Sequence, residues 1–190
     1  MASSSHTYDV FISHKSDAKP WVEVLARNLL SRGLRVFLDI WEIVPGRSLV
    51  DELDRGLQQS RKGILVVTPE TWESGWVREE YGSMLGRKQR DRDFTIIPVV
   101  VGQDIPDIPF LHNVVWVDFR PPCPYREAFY RLVCALEGRA PGPEVDLSGE
   151  LLAPPVLSSA PAPPPHQDEV AFVDRLFERF FTKQAVLLFA

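Results

Sequence analysis

Cysteine is scarce in this chain, and the sequence around each of the two cysteines argues against a disulfide framework or a metal site. Among 190 residues only Cys123 and Cys134 are cysteines, and neither shows CxxC spacing or a nearby pair of histidines. A disulfide framework or a zinc site needs more cysteine and histidine ligands at closer spacing. The sequence therefore predicts two free thiols and no metal site.

The chain also lacks an excess of positive charge and a long hydrophobic run. Lys and Arg number 21 against 26 for Asp and Glu, a net charge of −5, so there is no general attraction to nucleic acid. The start, MASSSHTYDV, has neither the basic nor the apolar region of a signal peptide. No stretch reaches the roughly 18 apolar residues that a membrane-spanning helix needs. We expect a cytoplasmic protein that binds neither nucleic acid nor membrane.

Several motifs of nucleotide and acyl chemistry are absent as well. No GxxxxGK(S/T) is present to hold a nucleoside triphosphate, and no GxGxxG follows the first predicted strand. No GxSxG supplies a serine nucleophile. A phospho-acceptor receiver is expected to end its third strand in aspartate, whereas Thr68 stands there. These absences argue against four common functions of α/β domains.

What the chain does contain is five short apolar runs alternating with helical patterns. The runs are rich in Val and Ile and mostly lack polar alternation, which is typical of strands covered on both faces of a parallel sheet. Their order predicts an α/β domain with a flavodoxin-like five-stranded parallel sheet of order 2-1-3-4-5 and helices on both faces. The fourth connection, GQDIPDIPFLHN, is predicted to be irregular or a short helical turn. The five runs are Tyr8–Ser13, Arg35–Asp39, Gly63–Thr68, Phe94–Val101 and Val114–Phe119.

Composition changes abruptly after residue 137, which suggests four segments. We predict a disordered tail at 1–7, the α/β domain at 8–137, a Pro-rich linker at 138–168 and an amphipathic helix at 169–190. A lone helix has no core of its own. It could dock on the domain, pair with a helical partner, or open a helical domain, and the sequence does not choose.

A site is expected where the first and third strands end, because strand order reverses there. Ser74 is a candidate cap of the helix that follows the third strand, which places Glu80 in the second turn of that helix. On that helix Trp76 and Glu80 lie in a row beside the sheet-facing residues. The alternative is that Glu80 is a solvated helix charge. The first strand leads into Ser13, His14 and Lys15.

Three motifs in order carry a resemblance to a known family. DVFISH is similar to the first strand of the Toll/interleukin-1 receptor (TIR) domain, in particular its bacterial branch. FLDIWEIVPGRSL resembles the second strand and the BB loop of that family, here residues 40–48. SGWVREE resembles its third motif, in which a tryptophan precedes a glutamate by four residues. The resemblance covers roughly residues 8–137.

The resemblance implies a role for individual residues. In the enzymes of the family the matching glutamate, here Glu80, is the catalytic residue that cleaves NAD⁺ between nicotinamide and ribose. Lys15 or Arg47 could pair with the pyrophosphate, the alternative being solvated loop charge. Asp39 is expected to accept hydrogen bonds from loop amides. Trp76 either packs beside the site or anchors its helix. The residues that the resemblance assigns to NAD⁺ binding are Ser13, His14, Lys15, Trp41, Pro45, Gly46, Arg47 and Trp76.

Two functions follow from the resemblance. The first is a NAD⁺ hydrolase that gives nicotinamide and ADP-ribose or a cyclic ADP-ribose, is activated by self-assembly and serves bacterial immune defence. NAD⁺ is then the substrate and no cofactor is needed. The second is a non-catalytic adaptor that signals through contacts between TIR domains. Exposed apolar residues in the BB loop predict such contacts in either case.

Overall fold

The computed structural model describes residues 6–69, 76–103, 109–143, 145 and 147–157, with the backbone alone at 76–81, 109 and 110. Residues 1–5, Ser74, residues 158–168 of the predicted linker and the predicted helix at 169–190 lie outside the described residues. Strands are β1 (Tyr8–Ser13), β2 (Val36–Phe37), β3 (Ser60–Val67), β4 (Thr95–Val100) and β5 (Val117–Asp118). Helices are α1 (Lys19–Ser31), α2 (Asp39–Glu42), α3 (Leu49–Gln58), α4 (Trp76–Arg90) and α5 (Tyr125–Glu137).

The five strands form one parallel sheet in the order β2-β1-β3-β4-β5. This confirms the predicted fold class. The two edge strands are shorter than the apolar runs suggested, since Asp39 already begins α2 and Val115 is exposed ahead of β5. Short edges limit unwanted pairing with other chains. The fourth connection contains a 3-10 turn at Pro109–Asn113, as predicted.

Apolar side chains form a separate core on each face of the sheet. On one face Leu25 of α1 and Phe129 of α5 meet the sheet residues Val10 and Val99. On the other face Phe37, Leu57, Met84 and Phe94 pack together. In α3, a Cβ at Gly56 would lie 2.4 Å from the Phe37 ring, so only glycine lets the helix approach this closely. The two cores place helices on both faces, as predicted.

Described residues between α5 and Leu157 contact α1 and α5. The buried Asn28 side chain pairs with the backbone of Leu152: its Nδ2 donates to the Leu152 carbonyl at 3.0 Å, and the Leu152 amide donates to its Oδ1 at 2.9 Å. The Tyr130 hydroxyl donates to the Pro141 carbonyl at 2.9 Å. Leu147, Leu151 and Leu157 pack against the core.

The described residues 138–143, 145 and 147–157 therefore lie on the domain, within the segment for which the sequence predicted a linker. The cause is a set of spaced leucines and a buried asparagine in α1 that offers a donor and an acceptor to the passing backbone. A proline-rich composition does not reveal such contacts. The predicted domain boundaries stay predictions.

The Asn28 contact generates a stability prediction. Asn28→Leu leaves the Leu152 amide and carbonyl without their partner, so we expect the free energy of unfolding to fall by about 1–3 kcal/mol. Urea denaturation measures this loss, and limited proteolysis should show faster cleavage between residues 139 and 157. The exposed Asn113 provides the control Asn113→Leu, which should change neither. Equal stability of the two variants would contradict the role given to Asn28.

Candidate functional site

The carboxyl ends of three neighbouring strands meet at one edge of the sheet. Because β1 is hydrogen-bonded to β2 on one side and to β3 on the other, all parallel, the residues that follow these strands are neighbours. Ser13 ends β1, Asp39 follows β2 after one residue, and Thr68 follows β3 directly. Ser13 and Thr68 are buried. This edge is the switch point at which ligands of such sheets bind.

His14 joins the loop after β1 to the start of α2. Its side chain is 5% exposed, its Nε2 lies 3.3 Å from Oδ1 of Asp39, and its Nδ1 lies 2.9 Å from the Lys15 carbonyl oxygen. Both of these partners are acceptors, so both contacts are hydrogen bonds only when each ring nitrogen carries a proton. His14 thus links the loop after β1 to the carboxylate that begins α2.

Asp39 is the acceptor at the centre of this contact. Besides His14, its Oδ1 accepts a hydrogen bond from the Ile40 amide at 2.7 Å, as expected of a carboxylate that binds loop amides. Burial alone would raise the pKa of Asp39, but the hydrogen bond and charge of His14, the Ile40 amide and the charge of Lys19 lower it below its ordinary value. Asp39 is thus held ionised at the entrance to the BB loop.

The BB loop exposes fewer aromatic atoms than the sequence suggested. Trp41 lies in α2, where its ring is half-buried against the core and the Arg27 guanidinium carbon lies 5.6 Å from the ring centroid. An exposed indole was expected here. Pro45 and Gly46 are exposed, and Gly46 has φ of 91°, a conformation that glycine adopts without strain. Val44 is 56% exposed and supplies apolar surface instead.

Arg47, a predicted partner of the pyrophosphate, is bound to a carboxylate of the protein itself. Its Nη1 donates to Oε1 of Glu52 at 2.9 Å. Arg55 binds the other oxygen of Glu52 through Nε at 3.0 Å and Nη2 at 2.5 Å. The hydrogen bonds from Arg47 and then Arg55 lower the pKa of the Glu52 carboxyl group.

A second contact holds the start of the BB loop. The Tyr8 hydroxyl donates to Oε2 of Glu42 at 2.6 Å. With the contact between Arg47 and Glu52, each end of the loop is tied to the domain. The sequence did not indicate a role for Glu52 or Tyr8. In sequence the Glu52 side chain looks like a solvated helix charge, and the only signal of its pairing was the spacing of three residues to Arg55.

The predicted catalytic residue lies on α4. This helix begins at Trp76, which puts Glu80 in its second turn, and Met84 one turn later is buried against the sheet. The predicted placement of Glu80 relative to the helix start is therefore consistent with the backbone. The roles of Glu80 and Trp76 as site residues stay predictions.

A second depression lies at the carboxyl ends of β4 and β5. Its volume is about 770 Å³. Arg120 and Asp118 face it, but they form a bidentate pair with distances of 2.9 and 2.8 Å, so each charge is already compensated. It holds none of the predicted site residues and is the weaker candidate. It is lined by Gly102, Gln103, Asp118, Arg120, Pro121, Pro122, Cys123 and Glu127.

Comparison with known proteins identifies the class to which this sheet and site belong. A family model described as TIR domain matches residues 10–133. The chain therefore belongs to the TIR domain family. Within the described ranges, no helix is long and apolar enough to cross a membrane.

The chain is similar to several curated proteins of bacteria and archaea. It is 34% identical over 93 residues to NAD(+) hydrolase TirS of Staphylococcus aureus (strain MSSA476), covering 48% of this chain and 33% of that protein. It is 34% identical over 97 residues to NAD(+) hydrolase TcpA of Theionarchaea archaeon (strain DG-70-1), covering 50% and 29%. It is 33% identical over 93 residues to 2′ cyclic ADP-D-ribose synthase BtTIR of Bacteroides thetaiotaomicron, covering 48% of this chain and 32% of that protein. The alignments thus span about a third of each relative's length.

Solved structures agree on the fold. The TIR domain of the Toll-related receptor TRR-2 from Hydra magnipapillata has a TM-score of 0.56 at 21% identity, covering 69% of this chain and 99% of that one. The TIR domains of the activated Roq1 resistosome have a TM-score of 0.56 at 19% identity, covering 68% and 99%. At these identities the likeness concerns the fold alone.

The lowered pKa of Asp39 predicts a pH-dependent contribution to stability. A carboxyl group whose folded pKa is depressed stabilises the fold above its ordinary pKa of about 4, and this stabilisation is lost as the pH falls through the folded value. Asp39→Asn should therefore be less stable than the wild type at about pH 6, with the difference shrinking at about pH 3. Urea denaturation at both pH values measures it, with the exposed Asp93→Asn as control. A difference that does not change with pH would refute the role of the ionised carboxylate.

Proposed function

We propose that this chain is a TIR-domain NAD⁺ hydrolase that cleaves the bond between nicotinamide and ribose. The observation that carries the proposal is the start of α4 at Trp76, which sets Glu80 in the second turn of the helix that follows β3. Supporting it, the chain belongs to the TIR family and is similar to proteins named NAD(+) hydrolases and cyclic ADP-ribose synthases. The proposed setting is the cytoplasm, in bacterial immune defence.

A single carboxylate can perform this cleavage. Ordinary glycosidases use a second carboxyl group to protonate a poor leaving group. Nicotinamide leaves NAD⁺ as a neutral molecule from a cationic pyridinium, so that step needs no acid. Glu80 then has to hold the ribose hydroxyls and stabilise the positive charge that develops on the sugar. Attack by water gives ADP-ribose, and attack by the adenine gives a cyclic product.

In this proposal the other residues assigned by the family resemblance belong to the same edge of the sheet. We place NAD⁺ as substrate, without a cofactor or metal, against Ser13 and Lys15 after β1 and against the exposed Pro45 and Gly46. The His14 side chain contacts Asp39, and the Trp41 ring contacts Arg27. In this proposal both residues support the site by these contacts and do not present a free surface to NAD⁺. Arg47 binds Glu52 through Nη1 alone, which leaves its other N–H donors for a pyrophosphate, and Arg55 also compensates the charge of Glu52.

The role of Glu80 is tested by a matched pair of variants. Glu80→Gln keeps the shape of the side chain but removes the negative charge, so release of nicotinamide should fall by at least about 100-fold. The adjacent Glu79→Gln removes the same charge from the same helix turn and should retain near-wild-type turnover. Nicotinamide is quantified by chromatography after incubation with NAD⁺. Equal loss in both variants, or none in Glu80→Gln, would contradict the assignment.

We further propose that activity depends on contacts between TIR domains through the BB loop. Val44 and Leu49 expose apolar side chains on either side of Pro45, and such surface is expected to be covered by a partner. A contact between the loop of one copy and a different surface of the next generates a ring or a filament. The same exposed surface favours the alternative function, an adaptor without catalysis that acts by TIR–TIR contact.

A charged residue introduced into the exposed surface of the BB loop should weaken assembly without unfolding the domain. Val44→Glu should lower nicotinamide release per molecule and abolish its rise with protein concentration, because the charge would be desolvated in the contact. Val156 is 87% exposed on the segment after α5, so Val156→Glu is a control of equal chemistry. Nicotinamide release measured over a range of protein concentrations gives the activity per molecule, and sedimentation gives the state of assembly. Activity per molecule that is independent of concentration, with Val44→Glu fully active, would exclude assembly; assembly without nicotinamide release would favour the adaptor.

A further inference from the structure

Asp17 makes a contact that crosses the switch point from β1 to β3. It lies in the 3-10 turn at Ser16–Ala18, just after β1, and its Oδ2 accepts a hydrogen bond from the Thr68 hydroxyl at 2.9 Å. Thr68 is buried and is the first residue after β3. The two residues are 51 positions apart in the chain, so the bond connects the loop after β1 to the end of β3.

The other oxygen of Asp17 has no partner in the part of the chain that the structure describes. Oδ1 is buried there and accepts no hydrogen bond. A buried carboxylate oxygen without a donor costs free energy, and native proteins rarely keep one without a reason. The bond to Thr68 is therefore the hydrogen bond that orients this carboxylate among the described residues.

Thr68 is also the point at which the chain leaves β3 toward α4. On the side of β4, the Val101 amide donates to the Val67 carbonyl at 3.0 Å. A Cβ at Gly102 would meet the Pro69 ring at 3.0 Å, so the backbone at Gly102 passes close to this ring. The exit of β3 is thus held by β4 on one side and by Asp17 on the other.

We propose that Asp17 is a positioning residue of the NAD⁺ site, which acts through Thr68. It sets the spacing between the loop that follows Ser13 and carries His14 and Lys15, and the end of β3 that leads to Glu80. This inference rests on the proposed function. A small displacement between a substrate-binding wall and a catalytic group changes the rate of the chemical step strongly, while the binding contacts remain.

The chain offers a matched pair of buried hydroxyl groups on the same strand. Thr68 lies at the carboxyl end of β3, and Ser60 at its amino end, where its hydroxyl donates to the Gly56 carbonyl at 2.7 Å. Thr68→Val removes the bond at the cleft, whereas Ser60→Ala removes one far from it. A purely structural role of Thr68 predicts similar behaviour of the two variants.

The kinetic test compares kcat and KM for NAD⁺. Thr68→Val should lower kcat by about 10-fold or more with KM changed by less than about threefold, and Thr68→Ser should recover most of the loss. Ser60→Ala should keep the kcat of the wild type after correction for the folded fraction. Equal losses in Thr68→Val and Ser60→Ala, or no rescue by Thr68→Ser, would overturn the proposal.

A second readout does not depend on catalysis. Amide hydrogen exchange should become faster at residues 66–68 and in the first turns of α4 in Thr68→Val, but not in Ser60→Ala. Inactivity of the wild type toward NAD⁺ would refute the proposed function, and hydrogen exchange would still decide whether Thr68 holds the exit of β3. Unchanged exchange in Thr68→Val would overturn the positioning role even in an active enzyme.

Discussion

The position of β1 between β2 and β3 is the constraint on which the rest of the structure depends. Parallel pairing on both sides brings the carboxyl ends of three strands to one edge, although the segments that follow them lie far apart in sequence. Side chains on both faces of the sheet are buried in separate cores, so a strand cannot shift without exposing one of them. The packing of the two cores on the faces of the sheet therefore fixes the positions of Ser13, Asp39 and Thr68.

Two carboxylate contacts then hold the loop after β1, one to Asp39 and one from Asp17 of the loop itself. Asp39 binds His14 from the side of β2, and Asp17 binds Thr68 across the gap to β3. A site that stabilises developing charge works best when its walls are already in place before the reaction, since no free energy is then spent on reorganising them. Two contacts of this kind fix the loop in two directions.

The sequence predicted the fold well and the contacts of the site only in part. Unbroken apolar runs indicate buried parallel strands whatever their partners, and this signal is local. The pairing of His14 with Asp39 depends on neighbouring strands, and the half-burial of Trp41 depends on Arg27 in α1. Neither can be read from a motif. The packing of Leu151 was hidden because prolines around it suggested an extended chain, and its contact with the core is tertiary.

The BB loop has two proposed roles, a contact with another TIR domain and a contact with substrate, and its charged residues allow both. An apolar exposed surface such as Val44 suits a protein contact, whereas a cation such as Arg47 suits a phosphate. Glu52 has two arginine partners, so it remains compensated by Arg55 if Arg47 moves to a pyrophosphate. Under the proposed function, Arg47 could therefore turn to a pyrophosphate without leaving a buried charge unpaired, since Arg55 stays bound to Glu52. Val44 and Arg47 are three positions apart, so the proposed TIR–TIR contact and the proposed substrate contact involve the same few residues of this loop.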